Sequence, residues 1–194
     1  MIELETVTPP AGEIIPLAEV KAHLRVDIAL DDALIGGYVA AAAAHIGEVL
    51  CWRTLAPTVY KASYDQWDGQ EIYLPLPPVQ SVASIQVVDE SDVPFDVVTI
   101  DPDTYVLDKA LGRVRFFAGG VNGGGAAGRL TVTYTAGYAT LPAWARQAIL
   151  LLTGHYYENR EAVVIGAGLA GLNVPMAVED LALAHKAWRP GGAV

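Results

Sequence analysis

Apolar positions along the 194-residue chain follow three successive rhythms. Up to residue 58 the spacing is helical. Leu17, Val20 and Leu24 recur at i, i+3 and i+7 behind Pro16, which suits a first helical turn because its missing N–H costs nothing there. Glu19 faces the positive end of that helix. A second helix is predicted to start at Asp31-Asp32, both good N-caps, and to run over Ala33–Leu50. Its stripe would be Leu34, Ile35, Tyr38, Val39, Ala42, Ile46, Val49 and Leu50. The Ala40–Ala44 run favours helix and lets a neighbouring backbone come close.

Between residues 59 and 140 the period drops to two. Arg129–Thr135 alternates without a fault, as a half-buried strand should, and Gly112–Phe116 does the same with Arg113 and Arg115 on the outer face. Tyr105 and Leu107 open a strand that can pair with it through a turn at Asp108–Gly112. Ala83, Ile85 and Val87 mark another, and a turn at Glu90–Pro94 leads into Phe95–Thr99. Val59–Tyr64 and Glu71–Leu74 are weaker strands, ended by Pro75, Pro77 and Pro78. The sum is a small antiparallel β-module of about five to seven strands. Gly119–Gly128 reads as a mobile glycine-rich loop.

From residue 141 the helical period returns. Pro142 starts a helix whose face is Ala145, Ala148, Ile149, Leu152 and Tyr156, ending near Glu158–Glu161. An uncharged run and a short helix, Met176–Lys186, precede Trp188-Arg189-Pro190. The expected fold class is α+β: a helical core of two N-terminal helices, one long and one short C-terminal helix, with the β-module inserted. Residues 1–58 and 141–194 would form the core with a C-terminal arm, and 59–140 the insertion, because neither helical arm can bury its stripe alone.

Charge narrows the function. Lys and Arg number 12 against 22 Asp and Glu, a net charge of -10. Such a surface disfavours grip on phosphate backbones. One cysteine, Cys51, allows no intrachain disulfide. No signal peptide is expected, since Met1–Glu5 carries two acids and no basic region. Two uncharged runs approach the composition of membrane spans. Ala33–Gly47 is too short, and Ala162–Val178 contains glycines, Asn173 and Pro175, so no membrane role is expected.

The loudest motif is Gly166-Ala-Gly168-Leu-Ala-Gly171, a G-x-G-x-x-G behind the apolar triplet Val163–Ile165. It would make a nucleotide- or flavin-binding enzyme the alternative reading. A dinucleotide site needs this turn to open a helix and a βαβ unit to follow, whereas Pro175 breaks the helix at once and too few residues remain. No cofactor is expected. His23, His45, His155 and His185 lie in no metal-binding spacing, though His155 and Glu158 are three apart, and no metal is expected. No serine stands in a nucleophile motif, so no catalytic residue is assigned. Glu158, Arg160 and Glu161 read as helix capping and intersubunit ion pairing. Leu181, Leu183 and Trp188 beside Arg189 and Pro190 read as an interface, because aromatic and arginine anchors dominate interface energies, with core packing an equal reading for Trp188-Arg189.

Four blocks in order carry a resemblance. They are Leu17–Asp27 followed by Asp31-Asp32 and a long helix; Leu74-Pro-Leu-Pro-Pro78-Val-Gln-Ser81-Val; Tyr134-Thr-Ala-Gly137-Tyr138 with Pro142, Ala148-Ile149 and Tyr156–Glu161; and Val174-Pro175 with Trp188-Arg189-Pro190. Together they resemble the head–tail connector (adaptor, head-completion) proteins of tailed phages and phage-like gene transfer agents. The longer Gly119–Gly128 loop departs from that pattern. The resemblance implies a non-enzymatic subunit of a homo-oligomeric, twelve-fold ring under the portal protein. It implies a DNA channel through which the genome passes without specific binding, and a tail-side stopper or tail-completion protein as the next partner. The chain would wait in the bacterial cytoplasm and end in the particle at the head–tail junction. Leu181, Leu183, Trp188, Arg189 and Pro190 would meet the portal, and Ala177–Pro190 would form the docking arm. A tail-tube or baseplate component is the structural alternative.

Overall fold

The computed structural model describes residues 2–65, 67, 69–89, 96–117, 128–159 and 175–187. The chain divides into two compact units. One comprises the described residues of Met1–Ala11, Trp52–Ala139 and Ala187–Val194 and is built of sheet; the other, Gly12–Cys51 and Thr140–Lys186, is helical.

The sheet unit holds eight strands: β1 Ile2–Thr8, β2 Thr58–Tyr64, β3 Glu71–Tyr73, β4 Val79–Asp89, β5 Asp96–Thr99, β6 Tyr105–Asp108, β7 Arg113–Phe116 and β8 Gly128–Ala136. They form a five-stranded sheet in the order β1-β2-β8-β4-β5 and a three-stranded sheet in the order β3-β7-β6. Every pairing is antiparallel. The alternating segment 129–135 is the centre of the larger sheet, with Leu130, Val132, Tyr134 and Ala136 buried on one face. Ile72, Val114 and Phe116 from the smaller sheet, with Leu74 just after β3, join Tyr60, Ala62, Tyr64, Ile85 and the β8 residues in one core.

Two buried phenols anchor this core. Tyr64 donates to the Tyr73 carbonyl at 2.8 Å and Tyr134 to the Pro75 carbonyl at 2.8 Å. Burial pushes both pKa values well above the ordinary tyrosine value. Turns obey local chemistry. The Asp108 carboxylate accepts the N–H groups of Ala110 and Leu111, and Gly112 takes φ +67 where a Cβ would crowd the Leu74 carbonyl. Gly137, at φ +112, passes so close to Ala56 that a side chain would land on its carbonyl. That is the physical reason for glycine in the Tyr134–Tyr138 block.

Strand content exceeds the sequence expectation. The sequence places the first residues in the helical arm, yet β1 pairs with β2 over Ile2↔Tyr64 to Thr8↔Val59. Cross-strand hydrogen bonds outweigh a weak local signal there. The expected turn at Glu90–Pro94 and most of the Gly119–Gly128 loop lie outside the described residues, as do Ala162–Val174; Gly128 itself starts β8.

The helical unit contains α1 Leu17–Leu24, α2 Asp32–Ala44, α3 Ala143–Glu158 and α4 Met176–Leu183. α1 begins behind Pro16, the Glu13 carboxylate accepting the Leu17 N–H, and ends at Arg25 in the left-handed region, φ 57. α3 packs against α1, α2 and α4. Its buried face is Ala145, Ala148, Ile149, Leu152 and Thr153, with Tyr156 against Tyr38 at a ring distance of 6.2 Å.

α2 departs from expectation twice. Asp31 and Asp32 were expected as N-caps, but neither makes a capping side-chain bond. Asp31 instead accepts from the Tyr157 hydroxyl at 2.6 Å and Asp32 from Lys21 Nζ at 2.6 Å, so both carboxylates tie the helices together. The helix also continues as a π-helix over His45–Cys51. The wider turn rotates the buried face: Ile46 and Cys51, five apart, point inward, while Val49 is exposed. Leu34 also lies outside the stripe, which narrows to Ile35, Val39, Ala42 and Ile46 before Cys51. Asp32–Cys51 together is a 20-residue apolar helix, long enough to cross a membrane by length and composition. Its inward face packs on α3 and α4 as a core helix of this unit.

Candidate interface surfaces

α4 is held at its C-terminal end. The Cys51 thiol donates to the Ala182 carbonyl at 3.2 Å, and the His185 ring stacks on Trp144 with centroids 4.4 Å apart and planes 14° apart. Val178 and Ala182 are fully buried. The expected docking arm is therefore, over its first half, a packed element of the helical unit. The i, i+4 pair Val178/Ala182 faces inward and fixes it, and the residues at other angles are left for a partner. Leu183 is 50% exposed, Met176 more so, and Leu181 is half-buried. Trp188, Arg189 and Pro190 lie outside the described residues.

The second predicted cluster is described only at Glu158, which is exposed at the end of α3; Arg160 and Glu161 lie outside. His155, its neighbour on that turn, receives Asn159. The Asn159 amide donates to the His155 carbonyl at 2.9 Å and lies 3.3 Å from His155 Nδ1, which closes the helix. Gly166–Gly171 lies outside the described residues. Among the described residues no three His, Cys, Asp or Glu side chains gather closely enough to hold a metal.

Exposed aliphatics carry more information than titratable groups here. On the helical unit they are Ile28, Leu30 and Leu34 around the α1–α2 loop, with Val49, Met176 and Leu183. Leu30 is 87% exposed, on a loop held rigid by Lys21, whose ammonium donates to the Ile28 carbonyl at 2.9 Å as well as to Asp32. On the sheet unit, β1 is exposed along all seven residues. Its Glu3 carboxylate meets Arg129 Nη2 at 2.9 Å, and Arg129 Nε lies 3.4 Å from Asp65. Sequence reading missed β1. The available signal was its alternation, Ile2-Glu3-Leu4-Glu5, followed by the β-branched Thr6 and Val7.

Packed helices and a two-sheet module that present apolar side chains outward offer surfaces for protein contacts. Residues 13–179 match the Head completion protein family, and the chain belongs to that family. It is a structural head–tail connector protein and not an enzyme. No curated protein matches the chain by sequence. Three solved structures are similar over nearly their whole length. A chain in the neck of an empty GTA particle, computed with C6 symmetry, shares 28% identity at a TM-score of 0.76, covering 98% of both chains. A chain in the neck of the native GTA particle, computed with C12 symmetry, shares 27% identity at a TM-score of 0.72, again over 98% of both. A chain of the native gene transfer agent virion shares 28% identity at a TM-score of 0.70, covering 97% of this chain and 98% of that one.

Proposed function

We propose that this chain is the repeating subunit of a ring in the neck of a phage or gene transfer agent particle, twelve-fold in the finished particle. The ring would sit under the portal, extend the DNA channel and receive the tail-side stopper or tail-completion protein. The observation that carries this reading is the match to a neck component over 98% of both chains. The charge of -10 supports it physically, since a conduit wall that bound phosphates would retard the DNA it must release. Folded subunits would wait in the bacterial cytoplasm before they join the particle.

The portal contact in this reading is the outer side of α4 around Leu183 and Leu181, continued by Trp188, Arg189 and Pro190. Glu158, Arg160 and Glu161 would serve contacts between subunits. Truncation before α4 would remove Val178 and Ala182 from the helical core, so a surface substitution is the cleaner test. Leu183→Glu in particle-producing cells should leave a folded protein and give separate heads and tails. Joined particles at wild-type number, with the variant present in their necks, would overturn the portal assignment. Electron micrographs of the purified wild-type chain mixed with portal should show rings on portals; a monomer that never binds portal would overturn the connector reading itself.

A further inference from the structure

We propose that β1 of one subunit pairs with β5 of the next, so that the five-stranded sheets join edge to edge around the ring. This rests on the ring reading above and names the surface that makes it.

The registers of the larger sheet connect into a single row across all five strands. Ile2 lies opposite Tyr64, Tyr64 opposite Leu130, Leu130 opposite Val87, and Val87 opposite Val98. Directly opposed residues point to the same face, so the row lies on the core face throughout. Its middle is covered: Tyr64 and Leu130 are buried and Val87 is partly so. Both ends are bare, with Ile2 and Val98 each 54% exposed. Leu4, opposite buried Ala62, repeats the pattern one row along at 38% exposure. The core face thus runs past its own cover at both edges of one sheet.

The backbone points the same way. β1 is seven residues long and, among the described residues, pairs only with β2, so its outer N–H and C=O groups face no described strand. A long edge with aliphatics on it is the template for pairing that monomeric proteins avoid. Its charges do little to block an incoming strand. Glu3 is held by Arg129, and Glu5 stands opposite Lys61 in the register.

Symmetry selects the occupant. A contact between two different patches of one chain repeats head to tail and closes into a ring when the rotation allows it, whereas a self-complementary patch stops at a dimer. β1 and β5 are two different patches on opposite edges. Four antiparallel steps separate them, so the two edge strands run in the same direction. A rotation about an axis along the strands preserves that direction, and the junction is a parallel one. Parallel pairs are slightly weaker per residue, and β5 offers four residues. Each junction is therefore modest alone, and ring closure holds it through the many contacts made together.

The test uses two charge variants of the full chain, Leu4→Lys on one edge and Val98→Glu on the other. Both positions are exposed enough to leave the fold intact, which matching thermal unfolding of the isolated subunits would check. Each variant alone should need about tenfold or more higher concentration to form rings, because a charge is forced into an apolar edge contact. Mixed one to one they should assemble again: every Leu4→Lys edge then meets a Val98→Glu edge, and the remaining edges are wild type. Amide exchange over residues 2–8 should also slow when wild-type subunits enter the ring. Wild-type rings with unaffected variants and unprotected β1 amides would overturn this inference and leave the ring reading standing. Weakening by Leu4→Lys alone, with no rescue in the mixture, would show β1 meeting a surface other than β5 and also overturn it. A wild-type chain that forms no ring, alone or on portals, would overturn both.

Discussion

The two units solve the packing problem with opposite materials. The sheet unit fills its core with large side chains, among them Tyr60, Tyr64, Tyr134, Leu130 and Phe116, and ties its phenols to backbone carbonyls. The helical unit packs Ala42, Ala145, Ala148 and Ala182 at zero exposure, with Gly154 facing Leu24 and His23. Thr153 Oγ1 and His45 Nε2 are buried there without a hydrogen-bond partner among the described residues. The sheet core leans on aromatic rings and their hydrogen bonds, the helical core on Ile35, Ile46, Ile149 and Leu152 interleaved with those alanines. Loss of volume should hurt the sheet at its large side chains, and gain of volume should hurt the helical unit at its alanines.

The strongest way to break the comparison is to separate the units. Replacing residues 59–140 by a short Gly/Ser linker should leave a soluble product with helical circular dichroism, since α1 to α4 find their buried contacts among themselves. A product without helical signal would show that the helical unit borrows its stability from the sheet.

Alkali should distinguish the units next. Tyr64 and Tyr134 have pKa values raised above the ordinary 10.0, first by burial and, for Tyr134, also by the neighbouring Tyr64 and Tyr60. A phenol held neutral in this way contributes stability that is whole below its unfolded pKa and is lost as pH rises above it. In the helical unit the less buried Tyr156 is raised as well, by burial. Amide exchange measured as pH climbs past 10.0 should therefore show the sheet opening before the helices. Simultaneous opening would tie the two units into one cooperative body.

Paired core substitutions test the materials directly. Leu130→Ala should cost about 2–5 kcal/mol by leaving a cavity in the sheet. Ala148→Leu should cost roughly 1–3 kcal/mol by forcing α3 off its neighbours. Denaturant unfolding followed by tyrosine and by helical signals reads each one. If Ala148→Leu were neutral, the alanine face would be loosely packed and the contrast would fail. The smallest effect is expected at the tie between α3 and α2. Tyr157→Phe removes the hydroxyl given to Asp31 and should cost about 1–2 kcal/mol, a hydrogen bond to a charged group at a partly buried site.

Much of this was legible in the sequence. Period-two alternation located β8 and β7, with Arg113 and Arg115 kept off the buried face that Val114 and Phe116 form. Period-3.6 spacing located α1, α2 and α3, and the four ordered blocks pointed to the family. These succeed because a half-buried element must repeat its apolar residues at its own structural period, whatever it packs against. Other features depend on partners distant in sequence. β1 is a strand because β2 supplies its hydrogen bonds, and Asp31 and Asp32 serve Tyr157 and Lys21 rather than their own helix end. The π-turn at His45 moved Val49 outward and Cys51 inward, onto the Ala182 carbonyl. α4 became a packed helix because Val178 and Ala182 are buried, Ala182 meeting Cys51 from 131 residues away in the chain. Local composition sets which elements can form; only the folded chain decides which faces they spend on themselves and which they leave for the next subunit.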